Sequence, residues 1–309
     1  MDQFVYLAKA ARPAQWVKNV TVFAALVFSG FLFVEGYFGR VVWAFVLFCL
    51  LSSAVYIFND IVDIKNDREH PFKRNRPIAS GKLPIEMAVF AFLALAIVAL
   101  FLGYATSTFF FFAILAYFIL NIVYSLWWKR IPILDVFSIA AGFVLRVYAG
   151  AFVINVHMDV WFLLTVVSAS LFLAVGKRRS EMTLLTGAGI NPKKLRTTLV
   201  HYTPDLLDAY TSMFANTTWL TYALFSFQHP PFTPEGKVLK LFVLLPQTLV
   251  ASKWLMATVP VVIYGVMRYM QLIYERNEGE SPHKVLMTDW PLLATVLVWG
   301  VMTIMILYS

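Results

Sequence analysis

The 309 residues are 60% hydrophobic and only 14% charged, against about half and a quarter in a soluble domain. That excludes a soluble globular enzyme and predicts an integral membrane protein whose apolar segments pack as a single domain, 1–309. The net charge of +8 fits basic cytoplasmic loops and an anionic substrate; no nucleic-acid motif is present, so nucleic acid is not an expected partner.

Met1 to Lys18 reads as a basic, partly amphipathic segment carrying Lys9, Arg12 and Lys18. It has no short apolar core followed by a small-residue cleavage site, so no cleaved signal is expected. Apolar stretches then predict nine helices, at about 16–36, 39–61, 85–104, 107–128, 132–155, 159–177, 205–227, 254–275 and 288–308. Each is near the ~20 residues that a bilayer requires. The expected fold class is an all-α, polytopic transmembrane bundle. The stretch 228–253 carries turn signals and Pro246 and reads as a re-entrant or interfacial piece. Nothing in the sequence opposes a homo-oligomer.

Basic residues give the orientation. Lys9, Arg12 and Lys18, the cluster Lys65 to Lys82, Lys129 and Arg130, the run Lys177 to Arg196, and Arg268, Arg276 and Lys284 all fall on one set of ends. Arg40, Lys237, Lys240 and Lys253 fall on the other. A cell-membrane protein with a cytoplasmic N-terminus is the expectation.

The second apolar run ends in Asn59-Asp60-Ile61-Val62-Asp63-Ile64-Lys65-Asn66-Asp67. If the helix continues, Asp60, Asp63 and Asp67 share one stripe at the membrane edge. Like charges so placed need a cation between them, and a hard divalent ion with oxygen ligands suits. Arg68, Lys73, Arg74 and Arg76 follow at once, before Pro77-Ile78-Ala79-Ser80-Gly81. Acid-bound metal beside a basic loop is an arrangement that holds a diphosphate. The competing reading is a helix cap with a solvated loop.

Further along, Asn121 and Tyr124 share a face near Lys129-Arg130, as part of a site or of an aromatic belt. Asp135 and Arg146 are three turns apart on one face. An Arg within the membrane points into a polar cavity, here one lined for an anion, or pairs with another helix. Gly142 and Gly150 allow close approach. Lys177 and Glu181 are i, i+4 neighbours, either a surface pair or a second phosphate cradle in which Glu181 helps hold metal. His70 either touches a phosphate or supports the basic loop, His157 is interfacial, and His201-Tyr202 carries no specific signal. Cys49 reads as a buried filler. No Ser/His/Asp set, Walker loop, dinucleotide-binding glycine pattern or zinc spacing occurs.

Asn59-Asp60-x-x-Asp63-x-x-x-Asp67 followed by Arg76-Pro77-x-x-Ser80-Gly81 resembles the UbiA-type intramembrane prenyltransferase superfamily. The stretches Asp67 to Gly81, Leu145 to Gly150 and Gly176 to Glu181 are most similar to its decaprenyl-phosphate phosphoribosyltransferase branch. The resemblance implies a helical bundle around a cytoplasm-facing central cavity. It implies transfer of 5-phosphoribose from phosphoribosyl pyrophosphate to a polyprenyl phosphate, with Mg2+ and release of pyrophosphate. It also implies that Asn59, Asp60, Asp63 and Asp67 hold magnesium-diphosphate and that Lys73, Arg76, Arg146, Lys177 and Arg178 hold phosphates. Lys18, Arg74, Tyr124 and Lys129 join these as candidate substrate-binding residues. The superfamily's second Asp-x-x-x-Asp motif is replaced here by Lys177 to Glu181, with Asp205 and Asp208 only three apart. That departure suits the phosphoribosyl branch over a prenyl diphosphate donor, which is the alternative.

Overall fold

The computed structural model describes residues 2–69, 73–187, 197–229, 253–275 and 282–308. Among these residues every regular element is a helix. Among the described residues seven helices are long and apolar enough to cross a membrane: Tyr37–Val62, Ile85–Thr106, Thr108–Leu126, Leu134–Ile154, Val160–Thr183, Trp254–Glu275 and Trp290–Tyr308. The expectation of an all-α, multi-pass membrane protein is met.

The layout differs from nine equal spans. Residues 16–36 do not form one helix. A 3₁₀ segment, Pro13–Phe23, leads into a single short α-helix, Ala24–Phe28. Gly30, at φ 79°, stops it in the left-handed conformation that glycine adopts without steric cost. Residues 205–227 do form a helix, Pro204–Gln228, but it is not among the seven. The segment 178–204 is not all loop, because the helix from Val160 runs on to Gly187. Lys177 and Arg178 both pair with Glu181, one turn on. Such pairs support a helix after its apolar run has ended. His70, Arg276 and nearly all of 228–253 lie outside the described residues, and the same holds for the Lys284 side chain.

The described chain divides into two compact units. The first, Met1–Met158 with Leu185–Thr203, contains α1 (Asp2–Ala11), α2 (Ala24–Phe28), α3 (Tyr37–Val62), α4 (Ile64–Glu69), α5 (Ile85–Thr106), α6 (Thr108–Leu126) and α7 (Leu134–Ile154). Helix α3 is its axis, packed against α1, the 3₁₀ segment, α5, α6 and α7. Its core is Val41, Leu47, Phe48, Leu51 and Val55 against Val22, Leu26, Phe110, Ile114 and Tyr117. Helices α5 and α6 leave Phe90, Phe101 and Phe109 about 70% exposed, as suits side chains that face lipid rather than water. The second unit, Asp159–Leu184 with Pro204–Ser309, holds most of α8 (Val160–Gly187), then α9 (Pro204–Gln228), α10 (Val259–Glu275), α11 (Pro282–Thr288) and α12 (Trp290–Tyr308). Its core gathers Phe172, Ala215, Tyr269, Leu272, Ile273 and Leu292. Asp159 starts α8 by accepting from the Trp161 and Phe162 amides.

Gly150 brings α7 onto the 3₁₀ segment. A Cβ there would lie 1.9 Å from the Val22 carbonyl oxygen, a clash that only backbone movement relieves. Gly150→Leu is therefore expected to cost about 3 kcal/mol, read as a thermal midpoint several degrees lower in detergent. An unchanged midpoint would show that this packing is not needed.

Candidate functional site

Helix α3 does not run smoothly through the acidic stripe. It ends at Val62, Asp63 forms the turn, and α4 restarts at Ile64. Backbone bonds from Asp63 to Asn59 and from Asp67 to Asp63 carry the helical path across the break, so the three acids stay close in register. Asp60 and Asp67 are buried and Asp63 is half-buried.

Each acid meets a cation. Arg76 Nη1 stands 3.1 Å from Asp60 Oδ1 and 2.7 Å from Asp67 Oδ2. Arg12 also binds Asp60 Oδ1, and Lys129 binds Asp63 Oδ1. The Arg12 guanidinium lies 5.3 Å from the centre of the Tyr56 ring, so its second face is held as well. Local structure explains the convergence. Arg12 adopts φ 53°, just before Pro13, which turns the chain between α1 and the 3₁₀ segment. Arg68 Nε donates to the Ala79 carbonyl at 3.1 Å, and Gly81, at φ 75°, closes the Pro77–Gly81 turn. Together these fold the basic loop back over α4. Lys73 and Arg74 lie on the 3₁₀ turn Lys73–Asn75 beside it, Lys73 half-buried and Arg74 exposed. Asn59 and Tyr124 are half-buried.

Below the acids, α3 carries a polar stripe, Cys49, Ser52, Ser53, Tyr56 and Asp60, at helical spacing. Trp16 donates to Ser53 at 3.0 Å. Asn19, fully buried, donates to Ser52 and to Cys49 Sγ. Its carbonyl oxygen receives Arg146 Nε at 2.8 Å. Arg146 also donates to the Gly142 carbonyl and to Tyr117 Oη, at 2.9 and 2.8 Å, and lies 4.7 Å from the Tyr117 ring centre. It is 5% exposed. Among the described residues no carboxylate pairs with it. Lys18, next to Asn19, is half-buried.

Among the described residues, no three carboxylate, imidazole or thiol groups converge closely enough to enclose an ion. Asp60 and Asp67 instead converge on one nitrogen of Arg76. That shared cationic position and the hard oxygen donors around it fit a divalent metal of the magnesium type.

The UbiA prenyltransferase family profile matches residues 19–290. The chain belongs to the UbiA prenyltransferase family. It is 34% identical to a decaprenyl-phosphate phosphoribosyltransferase of Corynebacterium glutamicum, over 98% of this chain and 86% of that protein. It is 32% identical to one of Mycolicibacterium smegmatis, over 95% of this chain and 89% of that protein. The fold matches that of a UbiA homologue from Archaeoglobus fulgidus bound to GPP and Mg2+, with a TM-score of 0.68, 18% identity and coverage of 98% of this chain and 100% of that one. The same homologue has also been solved with Cd2+.

The remaining candidates of this UbiA-family chain lie in the second unit. Arg178 is fully buried and donates to Glu181 Oε2 at 2.8 Å, with Lys177 3.9 Å from Oε1. Glu181 is thus already engaged by two cations of its own helix, the intrahelical pair foreseen from spacing. Arg179 binds Asp208, which also accepts from Tyr274 Oη at 3.0 Å. Sequence reasoning missed Arg12, Asn19 and Tyr117 as members of the site. Arg12 carries a signal, since a basic residue directly before proline marks a chain reversal, which a count of topological charges does not contain. Asn19 and Tyr117 reach Arg146 across 127 and 29 residues, beyond any local pattern.

Proposed function

We propose that this protein transfers 5-phosphoribose from phosphoribosyl pyrophosphate to a polyprenyl phosphate, releasing pyrophosphate, with Mg2+, at the cytoplasmic face of the membrane. The observation that carries this is identity of about a third, over nearly the whole chain, to proteins named decaprenyl-phosphate phosphoribosyltransferase. The charge pattern supports it, because carboxylates interleaved with Arg12, Arg76 and Lys129 suit a metal-bound diphosphate.

Asn59, Asp60, Asp63 and Asp67 would hold Mg2+, which as a Lewis acid would stabilise the leaving pyrophosphate. Arg76, Lys129 and Arg12 bind phosphate oxygens once these compete with the aspartates, and Lys73 and Arg74 extend that grip. An oxygen of the lipid phosphate attacks C1 of the ribose while the C1–O bond to pyrophosphate breaks and its electron pair leaves with the pyrophosphate. The attacking oxygen is already anionic, so no general base is needed. The positive residues lower the repulsion between two polyanions and hold them in line, which supplies much of the rate. Lys18 and Arg146 supply positive potential on the membrane side, where the lipid phosphate enters.

A second reading, a prenyl diphosphate donor, is favoured by the GPP and DMAPP complexes of the Archaeoglobus homologue. A donor screen in detergent separates the two. Phosphoribosyl pyrophosphate with a polyprenyl phosphate is expected to give pyrophosphate and a lipid heavier by one phosphoribosyl group, and chelation of divalent ions should abolish the product. Product only from a prenyl diphosphate would overturn the proposal.

A further inference from the structure

Lys129, the partner of Asp63, lies on the connection between α6 and α7, in the 3₁₀ turn Trp128–Arg130. That connection ends in an uncommon backbone form. The Leu134 amide bonds the Pro132 carbonyl at 2.8 Å, and Ile133 between them sits at φ 70°, ψ −50°. This is the γ-turn with positive φ, which is rare and strained. A β-branched residue there is a true outlier, and such a conformation persists only where its surroundings enforce it.

The enforcing group comes from 69 residues away. The Ile133 amide donates to Tyr202 Oη at 2.7 Å, and Tyr202 Oη donates to Asp135 Oδ1 at 2.9 Å. The hydroxyl is used in both directions. Asp135 is 0% and Tyr202 4% exposed, so water does not readily replace either bond. Tyr202 follows the 3₁₀ turn Thr197–His201, which packs on the turn that bears Lys129. A glycine at 133 would hold this turn unaided. With isoleucine there, the turn needs outside support: the Val136 and Phe137 amides bond the Ile133 carbonyl, and the tyrosine hydroxyl bonds its amide.

We infer that Tyr202, seated by Asp135, is a positioning residue: its hydroxyl holds Ile133 in the strained turn and so sets Lys129 against Asp63, ready for the donor's diphosphate. This rests on the phosphoribosyltransferase reading for the identity of the donor.

The test is a mutational cycle on the purified full chain, reading KM and kcat for phosphoribosyl pyrophosphate and, separately, binding of Mg2+-pyrophosphate. Tyr202→Phe removes only the hydroxyl. It is expected to raise KM and weaken pyrophosphate binding about tenfold, the scale of one buried hydrogen bond, with kcat changed less than about threefold. Lys129→Met should have a similar effect, and the double variant should be no worse than either single one. Adding Ile133→Gly to Tyr202→Phe should restore KM to within about twofold of wild type, because glycine takes up positive φ freely. A Tyr202→Phe protein with wild-type KM and binding overturns the inference. So does an effect that adds fully to that of Lys129→Met, or one that Ile133→Gly leaves uncorrected. If the wild type uses only a prenyl diphosphate, the donor assignment falls, and the same cycle on pyrophosphate binding still decides the role of Tyr202.

Discussion

Asp60→Asn is expected to lower donor kcat/KM by about three orders of magnitude, the scale of losing a principal charge stabiliser in an active site. The change keeps the side chain's shape and removes one negative charge. Asp60 is 2% exposed and lies against two guanidinium groups. The amide would leave Arg12 and Arg76 facing each other with one carboxylate fewer. Breaking a fully buried pair is costly, but both arginine side chains are 25% exposed, and solvent discounts the loss. A stability cost of about 1–2 kcal/mol is therefore expected, well short of unfolding. Asp63, more exposed and paired with Lys129 alone among the described residues, should cost less stability when changed. Thermal midpoints and turnover across a magnesium titration would measure both quantities. Turnover within tenfold of wild type in Asp60→Asn, at saturating magnesium, would remove the acidic stripe from the chemistry.

Much of this arrangement could be read from the chain because it is local. The acidic stripe lies within nine residues, its basic loop follows immediately, and a helical period with membrane-length apolar runs places both at a helix end. Lys129 was legible too, as a cation at the end of a neighbouring span. What escaped depends on chain reversals and long-range pairing. The left-handed turn at Arg12 sends its guanidinium to Asp60, and a charge count does not contain that direction. Residues 16–36 look uniformly apolar on average. Yet Asn19 is buried within that stretch to meet Ser52, Cys49 and Arg146, and the backbone there is 3₁₀ rather than α. The first cation, Lys177, marks the end of the apolar run but not of α8, because intrahelical pairs to Glu181 favour continuing the helix. Tyr202 carried no local signal, since its partners lie 67 and 69 residues away.

Arg146→Leu is expected to separate activity from stability. A guanidinium buried with no carboxylate partner among the described residues weighs against folding, since charge inside a membrane protein is costly unless it is neutralised. Leucine removes that cost. Of the three groups that accept from Arg146, Tyr117 Oη can rotate to another role, and the Gly142 carbonyl keeps its place in the helical ladder. Only the Asn19 oxygen is left without a donor, at about 1–2 kcal/mol. The two terms oppose each other, so the thermal midpoint should stay level or rise. Turnover should fall about a hundredfold, as for loss of one preorganised charge. A polyprenyl phosphate should raise the wild-type midpoint by mass action and leave that of the variant nearly unmoved. If midpoint and turnover instead fall together, Arg146 is a structural strut and the lipid phosphate must be held elsewhere. A fixed positive charge kept at the cost of stability makes physical sense only where an anion completes it.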